Sequence, residues 1–268
     1  MGMYELFYRD RPWMREPPLQ VTLVPALFRD RLAETVFCFA LLLSLPRFFV
    51  EIEGSRYLRG ITLIGGHTRD HSNDTAAIAT LRNLASAQAQ MQTTGKIYGD
   101  SDGIGEYGTF GEMTGSCGVR TDADGSGRGA AVRPAILSAA LANASSGGIV
   151  TKNGYCFRIH LPAKGSGASR EGKVGEPLAA PVDADAAEQR WCAYAWPVAA
   201  GTSGRRAFFV DQDGDVRQCD NAGGAYSGVF RAPAFDAAFA PGAEGSWTGA
   251  AGPPGSRSRD GLAWKVKN

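Results

Sequence analysis

Residues 73–92 read NDTAAIATLRNLASAQAQMQ, and their periodicity decides the fold. Ile78, Leu81, Leu84, Ala85, Gln88 and Met91 recur at three- and four-residue spacing, which puts them on one face of an α-helix. Ser72 or Asn73 is placed to cap that helix, Asp74 lies in its first turn where the helix dipole favours an anion, and Gly95 ends it. The stripe is narrow and Ala-rich, so the helix can lie closely against a sheet or another helix.

Downstream, the spacing predicts a second helix at Pro134–Ser145, with Pro134 at its first position and Gly147-Gly148 as its stop. Between the two helices runs a Gly- and Asp-rich loop, Gly99–Arg133. Strands are predicted after that. Gly154–Leu161 alternates Tyr155, Phe157, Ile159 and Leu161 against Cys156, Arg158 and His160. Arg190–Val198 comes next, then Arg206–Val210 and Asp215–Cys219 around a Gln212-Asp213-Gly214 turn, together a three- or four-stranded antiparallel meander. Lys164–Glu188 reads as a surface insertion, Ala232–Arg259 as an irregular tail, and Asp260–Val266 as a last edge strand. The expected fold is α+β: an N-terminal amphipathic helix on a small antiparallel sheet, with irregular Gly/Pro-rich ends. The chain divides into an atypical region 1–72, a globular domain 73–228 and a tail 229–268.

Upstream, region 1–72 holds nine Arg and no Lys, against 22 Arg and six Lys in the whole chain, so its composition differs from the rest. Its apolar run, Val36–Val50, is broken by Pro46 and Arg47, and is short of the roughly 20 residues of a spanning helix. Val36–Leu45 has the size of a signal-peptide core, with Arg29 and Arg31 before it. The region reads as a signal or anchor, a buried helix, or a segment translated from the wrong start or frame.

Bulk properties exclude some classes. With a net charge of +1 and a pI near 7.6, the chain lacks the basic footprint of a nucleic-acid binder. Its 35 Gly in 268 residues are about twice the usual share of roughly 7%, which points to many turns. No cysteine pair has C-x-x-C spacing. Cys117, Cys156, Cys192 and Cys219 all lie in the globular part, where four cysteines suit two disulfides in an oxidising compartment, with the pairing left open.

Several segments in this order resemble the globular part of type IV pilin-like (pseudopilin-like) proteins. Residues 73–92 are similar to a recurrent N-E-A-A-A-I-x-x-L-R-x-I-x-x-A-Q helix, and Asp102–Met113 (DGIGEYGTFGEM) to the G-x-Y-G-T-L-x-E-L segment after it. Gly154-Tyr155 with Phe157 resembles a G-Y-x-F strand. Ala193-Tyr194-Ala195 with Pro197-Val198 resembles an A-x-P strand, and Gly204–Asp211 with Gly214–Arg217 a G-x-R-x-F-F-V-D…G-x-I-R hairpin. The likeness covers residues 73–228. Gly60, Ile61, Thr62, Leu63 and Ile64 echo the family's prepilin signal G-F-T-L-I-E. Gly65 stands where the family has Glu, and the polar Gly66–Ser72 stands where it has an apolar helix. The resemblance implies a non-catalytic structural subunit of a type IV pilus or secretion pseudopilus. It also implies an extracytoplasmic location, and other pilin-like subunits and envelope assembly machinery as partners. The alternative is a secreted or periplasmic binding module, calcium-stabilised.

Catalytic signals are sparse. Only His67, His71 and His160 are present, the first two read as solvated loop residues and the third as facing outward from its strand. No nucleophile elbow, Walker loop or dinucleotide fingerprint occurs. Asp100, Asp102 and Glu106 place carboxylates at short spacing, and are the candidate ligands for Ca²⁺. The Asp122-Asp124 and Asp211–Asp215 loops are weaker candidates, since Asp and Gly also favour tight turns. No other cofactor is expected. Trp191, Trp196, Phe208 and Phe209 are assigned to the core.

Overall fold

A computed structural model describes residues 56–97, 100, 102–122, 127–173, 176–242, 245–247 and 251–267, with backbone alone for 56–69. Val36–Val50 and Cys38 lie outside the described residues. Two compact units are distinguished, Met1–Ile64 and Gly65–Asn268. The second holds residues 73–228 and the tail alike, and every described strand belongs to it.

Among the described residues the helices are α1 (Arg56–Thr94), α2 (Phe110–Thr114) and α3 (Ala184–Ala187), with only α1 longer than five residues. Nine described strands form two antiparallel sheets. β1 (Gly118–Arg120) pairs with β2 (Arg128–Ala131). The main sheet has seven strands: β3 (Val150–Lys152), β4 (Tyr155–Pro162), β5 (Ala168–Ser169), β6 (Cys192–Pro197), β7 (Ala207–Asp211), β8 (Arg217–Cys219) and β9 (Lys265–Val266). Its order is β3-β4-β6-β7-β8-β9, and β5 pairs with β4 at Leu161 and Pro162. The expected α+β plan is therefore corrected. The described chain is mostly β, and its principal sheet has seven strands where a meander of three or four was expected. Two strands of this sheet were not expected: β3, formed by an Asn-Gly hairpin turn, and β5, within the Lys164–Glu188 segment expected as a surface insertion; β9 lies within the expected edge strand Asp260–Val266. Asn153 (φ 48°) and Gly154 (φ 76°) both adopt the left-handed conformation that a two-residue turn needs between β3 and β4. Lys265 and Val266 pair with β8.

The main sheet is buried on both faces, and alternation sorts its residues between two cores. Phe157, Ile159, Ala193, Ala195, Phe208 and Val210 join Ala77, Leu81, Leu84, Ala87 and Met91 of α1 in the first core. Burying a Leu or Met side chain contributes roughly 1.5–3 kcal/mol, so this stripe holds α1 in place. Cys156, Cys192, Tyr194, Trp196, Ala207 and Phe209 face the other way. They are covered by Ala237, Ala238, Phe239 and Trp264, all from the C-terminal stretch expected to be irregular or a mere edge. Trp191 and Phe208 fall in the first core, and Trp196 and Phe209 in the second.

Other local expectations are corrected too. Ser72 and Asn73 cap nothing, because α1 continues N-terminally to Arg56. Asn73 and nearby residues of this stretch serve lateral contacts instead. Asn73 Nδ2 donates to the Ser203 carbonyl at 2.9 Å, the Tyr155 hydroxyl donates to Asp74 Oδ1, and Arg205 Nε lies 3.5 Å from Asp70 Oδ2. His71 is an exposed helical residue rather than a loop residue. Gly60, Ile61, Thr62, Leu63 and Ile64 are helical in backbone. The second helix over Pro134–Ser145 reduces to one 3₁₀ turn, Ala139–Leu141. The amides of Ile136 and Leu137 both donate to the Met113 carbonyl, at 2.9 and 3.0 Å, so a tertiary contact takes the groups that a helical start would leave free. Leu137, Leu141 and Ala144 are buried without belonging to an α-helix.

The four cysteines are free, and Cys156, Cys192 and Cys219 are buried on the second face. Cys156 is in register with Trp196, and Cys219 with Ala207. Cys156 and Cys219 are thus three strand spacings apart, about 14 Å. Cys192 lies four residues along β6 from Trp196, a similar separation. A disulfide needs Cα atoms within about 7 Å, so strand register keeps these three thiols apart. Among the described residues, no helix is long and apolar enough to cross a membrane.

Candidate metal centre

The expected calcium set of Asp100, Asp102 and Glu106 does not converge. Glu106 is 1% exposed and turns inward, 3.4 Å from Arg120 Nη2. That guanidinium also bonds Glu112 Oε2 at 2.9 Å and the Tyr107 carbonyl at 2.8 Å. Glu112 is in turn the far side of a capping box with Thr109 at the start of α2. Glu106 therefore belongs to a buried ionic network, where a charge needs paired partners. Asp102 accepts from the Ile104 amide at 2.7 Å in a local turn.

Asp100 instead meets two carboxylates from the segment Lys164–Glu188 expected as a surface insertion. One oxygen each of Asp100, Asp185 and Glu188 lies within 4.8 Å of the other two. Three elements bring them together. Gly95, at φ 53°, ends α1 and turns the chain into the loop carrying Asp100. The loop returns through a hydrogen bond that the Tyr107 amide donates to the Ala187 carbonyl, 3.0 Å, which ties it to α3. Asp183 caps α3 through a bond from the Ala186 amide at 3.1 Å. Asp185 and Glu188 are then three residues apart on one helical face. Gln92 of α1 donates to the Glu188 carbonyl.

Asp100 and Asp185 are exposed, whereas Glu188 is 6% exposed and its Oε1 has no hydrogen-bond partner. Burial, reinforced by the charges of Asp102, Asp100, Asp185 and Glu106, pushes the Glu188 carboxyl up to about 7. Asp185 is raised chiefly by the hydrogen bond it shares with Asp100. In both, neighbouring carboxylate charges add to the rise, and a cation would relieve that part of it. The sequence signal for Asp185 and Glu188 was D-A-D-A-A-E at 183–188: a capping Asp followed by acids at i and i+3.

The remaining candidates lie elsewhere. Asp122 Oδ2 accepts from the Gly127 amide, and Asp211 Oδ1 from the Asp213 amide, so both loops use carboxylates for turn bonds. Burial pushes Asp211 up to about 6, with Asp213 and Asp215 adding to the rise and Arg217 opposing it. His160, expected at the surface, is 3% exposed. Tyr194 and Phe235 stand 6.1 and 6.4 Å from its ring because the tail covers that face. Burial, with the Arg158 and Arg170 charges, pulls the imidazole down to about 3 and keeps it neutral. Compared with known proteins, the chain matches no family model, no curated protein and no solved structure.

Proposed function

We propose that the chain is a non-catalytic structural subunit of a type IV pilus or secretion pseudopilus, working outside the cytoplasmic membrane. It would act through contacts with other pilin-like subunits and envelope assembly machinery. One observation carries this reading: the segments similar to that family come in the family's order, each on its own element. N-D-T-A-A-I lies in α1, Y-G-T-F-G-E-M on the approach to α2 and α2 itself, G-Y-C-F at the start of β4, A-Y-A in β6, and F-F-V-D with its return strand in β7 and β8. The use of polar groups is in keeping with it. Glu106, Glu112 and Arg120 are bound in one buried structural contact, and Asp74 and Tyr155 in another.

The test is fractionation of the native cell with an antibody to the full chain, followed by immunogold microscopy. The proposal expects the antigen in envelope and extracellular fractions, on filaments or in complex with pilin-like subunits. Antigen confined to the cytoplasm, or recovered from the envelope without any such partner, overturns it.

A further inference from the structure

We propose that Asp100, Asp185 and Glu188 form a Ca²⁺ site that locks the loop after α1 onto α3. This stands apart from the structural-subunit reading and does not depend on it. Two independent observations support it. The first is convergence: three carboxylate oxygens within 4.8 Å of one another, drawn from two segments 85 to 88 positions apart in the chain. Oxygens held at about 2.3–2.6 Å from a calcium ion can be at most about 5 Å apart, so the present separations fit inside one coordination sphere. The second is Glu188 itself. It is 94% buried, with Oε1 lacking any partner. A buried carboxylate oxygen without a donor is costly in a folded protein, and a cation held by the Glu188 carboxylate in the cluster offsets that cost.

Ligand chemistry selects the ion. All three donors are carboxylate oxygens, which suits a hard cation and disfavours the soft metals that take thiolate. Two donors are exposed and one is buried, which leaves outer positions to water and gives an irregular shell. Calcium accepts such geometry, whereas magnesium demands a near-ideal octahedron and gives up its waters reluctantly. Asp102, whose charge already acts on Glu188 and Asp185, adds to the field that attracts the ion.

The experiment is calorimetric titration of the full chain, freed of divalent ions by chelator, with CaCl₂ and separately with MgCl₂. Thermal melting is run in parallel. One Ca²⁺ per chain is expected, bound at least tenfold tighter than Mg²⁺. Melting should rise by about 5 °C or more at a hundredfold excess of Ca²⁺ over Kd. Glu188→Gln should weaken binding at least tenfold. Asp100→Asn, an exposed loop change that leaves the fold intact, should also weaken it at least tenfold. Asp215→Asn, in the separate acidic turn after β7, should bind as the parent does. No saturable binding up to 10 mM Ca²⁺ overturns the proposal. So does parental affinity in Asp100→Asn, or equal affinity for Mg²⁺.

Discussion

Replacing Trp264 with alanine tests whether the C-terminal stretch is a working wall of the second core. The indole is 1% exposed. It stands edge-on to Tyr194 at 5.8 Å and to Phe209 at 6.2 Å. Its Nε1 donates to Asp260 Oδ2 at 3.0 Å. Trp-to-Ala truncation in a core costs about 3–5 kcal/mol, and each aromatic pair adds about 0.5–1.5 kcal/mol beyond area. The Asp260 carboxylate keeps its bond from the Tyr226 hydroxyl, so no orphaned acid adds to the loss. The expected destabilisation is therefore about 4 kcal/mol, a large share of a total stability of about 5–15 kcal/mol. At about 2–4 °C per kcal/mol for a unit of this size, melting should fall by about 8–16 °C. Urea unfolding followed by circular dichroism measures it. Phe230→Ala is the matched control: the ring is 98% exposed, and its loss should stay within about 0.5 kcal/mol. A Trp264→Ala cost below about 1 kcal/mol would refute the claim that the tail seals the sheet.

Glu171 supplies a pH dependence. Burial and the nearby Glu112 charge push it from 4.5 up to about 7, against Arg128 and the Gly111 and Phe110 amides. A carboxyl raised in the folded state favours its protonated form there, so its contribution is present below about pH 4.5 and is lost as pH rises through 7, on the order of 2–3 kcal/mol. Stability curves of the parent and of Glu171→Gln should diverge over that window, with the variant flatter; parallel curves would contradict the assignment. Arg120→Leu removes the guanidinium shared by the buried Glu106 and Glu112, leaving Glu112 only the half-buried Arg128 at 3.5 Å, and should cost about 3–5 kcal/mol in urea unfolding. Tyr155→Phe removes the donor to Asp74 that ties α1 to β4, and should cost about 1–3 kcal/mol by the same assay. Among the described cysteines, iodoacetamide labelling of the native chain read by peptide mass spectrometry should reach half-buried Cys117 slowly, its thiol pushed up to about 11 chiefly by burial. Cys156, Cys192 and Cys219 should label only after unfolding.

Periodicity was legible where packing obeys a single repeat. Leu81, Leu84 and Met91 are buried as their spacing requires, and Tyr155, Phe157, Ile159 and Leu161 share the first core. Reading stopped short where both faces of a strand are covered. His160 and Cys156 look outward in an alternating pattern, and distant tail residues, among them Phe235, Phe239 and Trp264, make that side interior. Composition misled in the tail, since Gly, Pro and Ser spacing hides single aromatics that each bury a large surface. At Pro134–Ser145 a helical stripe of apolar residues is satisfied by irregular backbone anchored on Met113. The Asn153-Gly154 pair was a readable hairpin signal that would have exposed β3. The candidate metal centre was half visible. Asp100 lay in a marked acidic loop, but its partners came from α3 and its C-cap, some 85 positions away, and only the fold brings them together.

Native-state amide hydrogen exchange on the full chain tests most directly that the main sheet is covered on both faces. The Ala238 amide donates to the Tyr194 hydroxyl, the Arg259 amide to the Phe239 carbonyl and the Lys267 amide to the Val216 carbonyl. These amides should exchange in the same slow class as those of β6 and β7, opening only with the whole unit. Rapid exchange across residues 235–267 while β6 and β7 stay protected would show a loose tail over a one-faced sheet, and would contradict the two-sided core.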